Sequence, residues 1–146
     1  MAQENVKRLR EAYELLNTRF AALKTGDLDA LLDFFDPEVV IEMVDVPDPA
    51  TYEGHSGVRR WFNDFFGVWT AIHVEAEDFI ESGQWTVVQL RASLRGEASG
   101  VEVELPTTAV HQFRDGRIVR DRGYLNRAEA LKAVGLSEQD VHAESA

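Results

Sequence analysis

Residues 101–125 read VEVELPTTAVHQFRDGRIVRDRGYL. Two strand-like runs, 101–113 and 117–125, flank an Arg-Asp-Gly turn, the pattern of a β-hairpin. In the second arm Asp121 stands between Arg120 and Arg122, with Gly123 directly after it. Its direction depends on the turn. A two-residue Asp115–Gly116 turn pairs Arg114 with Arg117, sets His111 and Arg120 on one face and leaves Asp121 opposite. A three-residue loop with Gly116 as a G1 bulge pairs Phe113 with Arg117 instead. Ala109, His111 and Phe113 then share a face with Val119, Asp121 and Gly123. Side-chain chemistry favours this second register, which sends Arg120 and Arg122 out together and brings Phe113, Val119 and Leu125 inward on a period of two.

Upstream, residues 71–80 and 85–94 have the same strand character, and the turns ESGQ and RGEASG separate them from their neighbours. Residues 39–46, VVIEMVDV, form a further strand, while the following PDPATYEG is too rich in proline to continue pairing. The rest is helical. Residues 4–24 carry Val6, Leu9, Tyr13, Leu16, Phe20 and Leu23 at helical spacing, and Gly26 supplies the stop. Asp27 can cap a second helix containing Leu28, Leu31, Leu32 and Phe35, ended by Pro37. Ser56 can cap a third helix over 57–66, and Asn126 with Glu129 has capping-box spacing for a last one over 127–134. Helices first and a strand meander last read as an α+β fold with helices on one face of a curved antiparallel sheet. Residues 1–146 are expected to form one domain, with a polar, frayed tail from about 137.

Composition narrows the function. The chain carries a net charge of −11 and no basic cluster interleaved with aromatics, which disfavours nucleic acid and anionic membranes as partners. With no cysteine there is neither a disulfide, a thiolate metal site nor a Cys nucleophile. The four histidines lack metal-ligand spacing, and there is no Gly-rich phosphate loop. Apolar runs are far too short for a membrane span, and the charged, helical N-terminus is unlike a signal peptide. A cytoplasmic protein without metal or cofactor is the expectation.

The layout, with AALKTGDLDALLDFFDPEVV, YEGHSGVRRWF, ESGQWTVVQLRASLRG and FRDGRIVRDRGYLNRAEALKAVGL in that order, resembles the SnoaL-like branch of the nuclear-transport-factor-two-like superfamily over about residues 5–137. The resemblance implies a cone-shaped sheet with the N-terminal helices packed on its concave face. It also implies an apolar pocket between them, and commonly a homodimer packed through the sheet. Members include polyketide cyclases, ketosteroid isomerases, epoxide hydrolases and non-catalytic proteins, so fold alone does not assign chemistry. Alignment with the ketosteroid isomerases puts Met43 at the base position, Arg19 at the tyrosine position and Ala109 at the protonated acid, so that mechanism lacks all three groups. The Arg/Asp pair of limonene-type epoxide hydrolases is missing from VVQLRASL, and Gly123 stands where their second aspartate belongs. The cyclases require less: an acidic residue on the last strands that takes a proton from an already acidic carbon.

Asp121 fits that requirement if it faces inward. His111 would then lie on the same face, nearly opposite or diagonal, as its tuning partner. Gly123 leaves room for a ligand beside them. Tyr52 follows the Pro-rich loop at the expected pocket mouth and could donate to a ligand oxygen. Met43, Trp61 and Phe65 line the cavity or fill the core. The plainer role for Asp121 and His111 is a buried pair that fixes the sheet. Two functions follow: cofactor-independent proton transfer on an apolar, carbonyl-bearing small molecule, or a non-catalytic ligand-binding or dimer-forming module. His73 reads as solvated, His55 as held by backbone or solvent, and Arg19 as a surface ion pair.

Overall fold

The computed structural model describes residues 2–45, 49–96 and 100–137. Beyond Ser137, the expected frayed tail lies outside the described residues. The chain runs α1 (Ala2–Lys24), α2 (Asp29–Leu32), β1 (Phe35–Met43), β2 (Ala50–Glu53), α3 (Gly54–Phe66), β3 (Trp69–Ser82), β4 (Trp85–Gly96), β5 (Glu102–Arg114), β6 (Arg117–Tyr124) and α4 (Arg127–Ala133). Six strands form one curved sheet in the order β2-β1-β6-β5-β4-β3. The last four make the expected antiparallel meander.

The sheet is not antiparallel throughout, because β1 runs parallel to β6. A meander leaves β6 with one open edge, and β1 covers it. The Pro-rich segment departs from expectation as well: residues 50–53, from its end, form β2 and pair with β1 through Ile41 and Tyr52. Helix α2 is a single turn, and Phe35 begins a strand rather than ending a helix. Phe35 pairs with Ile118 and is buried there, and Pro37 two residues on disfavours helix before it. Pro37 sits where the β1–β6 register shifts between Phe35 and Val40, the irregular place a strand tolerates proline. Helix α3 starts at Gly54, two residues before the expected Ser56 cap. Asn126 caps α4 as expected, accepting from the Glu129 amide at 3.1 Å.

The two faces of the sheet bury different cores. On the concave face α1, α2 and α3 cover Val39, Ile41, Ile72, Val74, Val88, Leu90 and Ala109 with Leu9, Leu16, Phe20, Leu31, Val58 and Phe62. On the convex face α4 seals a smaller patch of Ile80, Val87, Val110 and Tyr124 with Ala130 and Leu131. Burying each Leu or Phe stabilises by about 1.5–3 kcal/mol before entropy is counted. Asn17 locks α1 to the free edge of β3: its amide donates to the Val74 carbonyl at 2.8 Å and accepts from the Val74 amide at 2.7 Å. One helix side chain thus pairs like a strand and blunts that edge.

The hairpin turn is the two-residue form, not the three-residue loop favoured by the sequence. Asp115 and Gly116 both have left-handed φ, 53° and 78°, as a type I′ turn requires, and Arg114 pairs with Arg117. The extra residue lies further down. Phe113 pairs with Ile118 but Gln112 pairs with Arg120, so Val119 is a bulge. Below it His111 pairs with Asp121 and Ala109 with Gly123. The bulge reverses the facing that the turn alone would set, and Asp121 points inward. Ile118, rather than Val119, supplies the buried residue near the tip, and Leu125 is 42% exposed.

Candidate functional site

Three side chains converge on the concave face. His111 and Asp121 lie directly opposite one another on β5 and β6, both buried. His111 Nδ1 is 3.5 Å from Asp121 Oδ1 and makes no aligned hydrogen bond, while Nε2 is 2.9 Å from the hydroxyl of Tyr13 on α1. Tyr13 is one helical turn before Asn17, so the clamp on β3 also holds the phenol over the sheet.

Burial controls the electrostatics. Desolvation pushes the Asp121 carboxyl above the ordinary carboxylate value, with His111 pulling it partly back. Desolvation holds the His111 imidazolium below its usual range, opposed by Asp121. Tyr13 is raised well above the usual phenol range by burial first and by Asp121 second, so it keeps its proton. The phenol can donate that proton to His111 Nε2, 2.9 Å away. A neutral imidazole accepting there carries its own proton on Nδ1, facing Asp121. The arrangement is a short chain, Tyr13 to His111 to Asp121, able to hold or relay one proton at the carboxyl.

The other expected site residues are distributed around it. Met43 packs on Gly123, its neighbour across the parallel β1–β6 pair, and its thioether fills the space that Gly123 was expected to leave for a ligand. Tyr52 is buried and its hydroxyl donates to Asp64 at 2.7 Å. In this arrangement the hydroxyl points to α3. Phe65 stacks edge-on against Tyr52, and Trp61 lies between Phe35 and Phe66. Trp61 Nε1 is buried and has no hydrogen-bond partner among the described residues. His73 is exposed, His55 contacts the Phe35 carbonyl at 2.9 Å, and Arg19 makes an exposed ion pair with Asp27. His142 lies outside the described residues.

Tyr13 is the member sequence reasoning missed. It was absorbed into the apolar stripe of α1, yet it is the one residue of that stripe with a polar end. A hydroxyl carried into a core needs a partner, and that need was the available signal. A separate cleft of about 680 Å³ opens between α1 and α2, lined by Glu11, Glu14, Asp29 and Asp33 around Leu15 and Phe34. It shares no residue with the buried chain. Among the described residues no group of three or more His, Asp or Glu side chains is placed to hold a metal, and no helix is long and apolar enough to cross a membrane.

A curved, unclosed mixed sheet with helices filling its concave side defines an architecture of the nuclear-transport-factor-two-like class. The sequence of the SnoaL-like domain matches residues 16–121, most of the chain, and the protein belongs to that family. Solved structures agree on the fold. An NTF2-like protein of unknown function from Burkholderia pseudomallei K96243 is similar at 24% identity and TM-score 0.69, covering 90% of this chain and 98% of that one. TerC, co-crystallised with polyporic acid, is 18% identical with TM-score 0.68 over 90% and 97% of the two chains. SalBIII, an epoxide hydrolase/cyclase-like enzyme with a role in pyran ring formation in the polyether salinomycin, is 20% identical with TM-score 0.66 over 85% and 93%. No curated protein sequence matches the chain.

Proposed function

We propose that this protein binds an apolar, carbonyl-bearing small molecule against the concave face and moves a proton at the carbon beside the carbonyl. The observation that carries the reading is the chain from the partly buried Tyr13 to the buried His111 and Asp121, in otherwise apolar surroundings. Asp121 is the acid/base. A carboxylate raised by desolvation is a stronger base than one in water, and the same group can return the proton. His111 tunes it, and Tyr13 fixes the ring and its tautomer. Buried ion pairs also perturb such values in proteins without catalysis, so geometry and not titration supports the assignment. Solved structures of the same fold include a cyclase-like enzyme and a protein named as an isomerase.

The second reading, a non-catalytic binding or dimer-forming module, is favoured by Met43 standing where the ketosteroid isomerases carry their base. A homodimer through the sheet and a cytoplasmic location complete the proposal; light scattering on the purified protein checks the first. The decisive experiment follows deuterium incorporation at the acidic carbon of 2-tetralone in D2O by NMR. Wild type is expected to accelerate exchange, and Asp121→Asn to lose about a hundredfold or more of that acceleration. An Asn variant as active as wild type removes Asp121 from the chemistry. Native mass spectrometry of the freshly purified protein reports any co-purified ligand.

A further inference from the structure

Helix α1 is two pieces rather than one rod. Within it the exposed Arg19 has φ −124° and ψ 22°, outside the helical range. Such a break needs a local cause. Immediately before it, the Thr18 hydroxyl donates back to the Glu14 carbonyl at 2.9 Å, the i−4 bond that bends helices. The two pieces are held differently. The first carries Tyr13 and is fixed to β3 by the paired Asn17 hydrogen bonds at Val74. The second, residues 20–24, buries Phe20 and Leu23 in the concave core. Phe20 meets Phe62 and Phe66 of α3 at ring-centroid distances of 6.0 and 6.2 Å, and the Lys24 ammonium donates to the Trp69 carbonyl. Past its end Gly26 has a left-handed φ of 111°, and the amides of Gly26 and Asp27 close the helix on the Leu23 and Ala22 carbonyls. The second piece therefore keeps its own cap and has a swivel at each end.

We infer that residues 20–25 are a lid over the concave face, hinged at Arg19 and Gly26 and strapped by Lys24, and that an apolar molecule enters beneath it. Opening breaks the Lys24–Trp69 hydrogen bond and the exposed 3.9 Å pair of Arg19 with Asp27, and it uncovers Phe20 and Leu23. It breaks no strand pairing. Phe20 stands about 10 Å along the helix from Tyr13, so the Asn17 clamp keeps Tyr13 on His111 while the lid swings. The lid rests on the reading of the concave face as a binding site and supplies that site with a way in.

Hydrogen exchange of the full chain, read by mass spectrometry on peptides, tests the motion without any ligand. Amides of residues 20–26 are expected to exchange at least about tenfold faster than those of 9–17, which open only with the whole fold. Lys24→Met keeps the apolar stem and removes the strap, so it should speed exchange in 20–26 and leave 9–17 as they are. Thr18→Ala removes the back-bond and should slow 20–26. Entry is read by stopped-flow uptake of N-phenyl-1-naphthylamine, an apolar probe that brightens on leaving water. Lys24→Met should raise the uptake rate and Thr18→Ala lower it, opposed changes that a merely structural role does not produce. Equal protection along both pieces of α1, uptake rates indifferent to both variants or moved the same way by both, or no uptake by any protein overturns the lid. If a variant melts too low, the wild-type exchange profile decides. Should the lid results hold while Asp121→Asn leaves 2-tetralone exchange untouched, the lid stands and the proton-transfer reading falls. The opposite pair of results removes the lid alone.

Discussion

Asp36 and Asp121 are two aspartates attached to the same hairpin, each with a side chain 12% exposed, and they titrate in opposite directions. Asp36, at the hairpin tip, accepts from the Arg114 guanidinium at 2.8 and 3.3 Å and from the Glu38 amide at 2.8 Å. Those hydrogen bonds hold its carboxyl below the usual value, and Asp36 in turn keeps Arg114 protonated. Asp121, below the bulge, has only a histidine 3.5 Å away without an aligned hydrogen bond, and desolvation raises it. Surface exposure alone does not separate them. The partners do, together with depth in the apolar core: a permanent cation in fork geometry anchors a charge, whereas a desolvated imidazole leaves it poised. One carboxylate is anchored by the fold, and the other is the one we propose for chemistry.

The strongest break in that comparison comes from making both carboxyls amides. Asp121 binds its proton more tightly in the folded chain than in the unfolded one. Between the ordinary value of 3.8 and its raised value, stability therefore falls as pH rises, and the full cost is present above the raised value. Asp121→Asn removes that cost, so its melting temperature at pH 7 is expected to equal or exceed the wild type while exchange activity is lost. A large drop in melting temperature would return Asp121 to a structural role. Next in size is Tyr13→Phe, which leaves His111 Nε2 buried without its donor. A loss of about 1–3 kcal/mol in urea unfolding is expected, with an unchanged slope against urea. His111→Asn acts on the titration itself. Because His111 holds Asp121 down, its removal should move the pH–exchange limb to higher pH. A limb that moves down, or stays, would mean that Asp121 does not control it.

Much of this contrast was legible in the sequence, and the missing parts share a cause. The meander and the closing helix with its Asn126 cap follow from alternation and local turn chemistry. Their interactions are close in sequence. The β1–β6 parallel pair and the move of Phe35 from helix to strand are set by contacts 80 or more residues apart, which no local window contains, and β2 forms only because β1 is held in place to pair with it. The hairpin is instructive because the facing of Asp121 was inferred correctly through the wrong device. An Asp-Gly pair specifies a two-residue turn, and the odd residue needed to bring Asp121 inward is absorbed at Val119 instead. Tyr13 was hidden by its own spacing, since periodicity counts a tyrosine as apolar and ignores its hydroxyl.

The smallest expected effect belongs to Asp36→Asn, and its value lies in its sign. A depressed carboxyl contributes stability that is present above its unfolded value of 3.8 and is lost as pH falls through the lower folded value. At pH 7 the Asn variant should therefore melt slightly below the wild type, with Glu38 left to accept from Arg114 at 2.8 Å. The deficit should close in strong acid, where wild-type Asp36 is itself protonated. It should also narrow in high salt, because Arg114 is half exposed and its pairing is screened. At Asp121 acid also removes the cost of the charge, by protonation, but the sign of the Asn effect at pH 7 is opposite and salt does not reach the buried pair. Thermal melts of the two Asn variants, at pH 7 and in strong acid, with and without added salt, separate the anchored carboxylate from the poised one. An Asp36 deficit that persists unchanged in acid would show that its contribution is packing rather than charge, and the contrast between the two aspartates would lose its electrostatic basis.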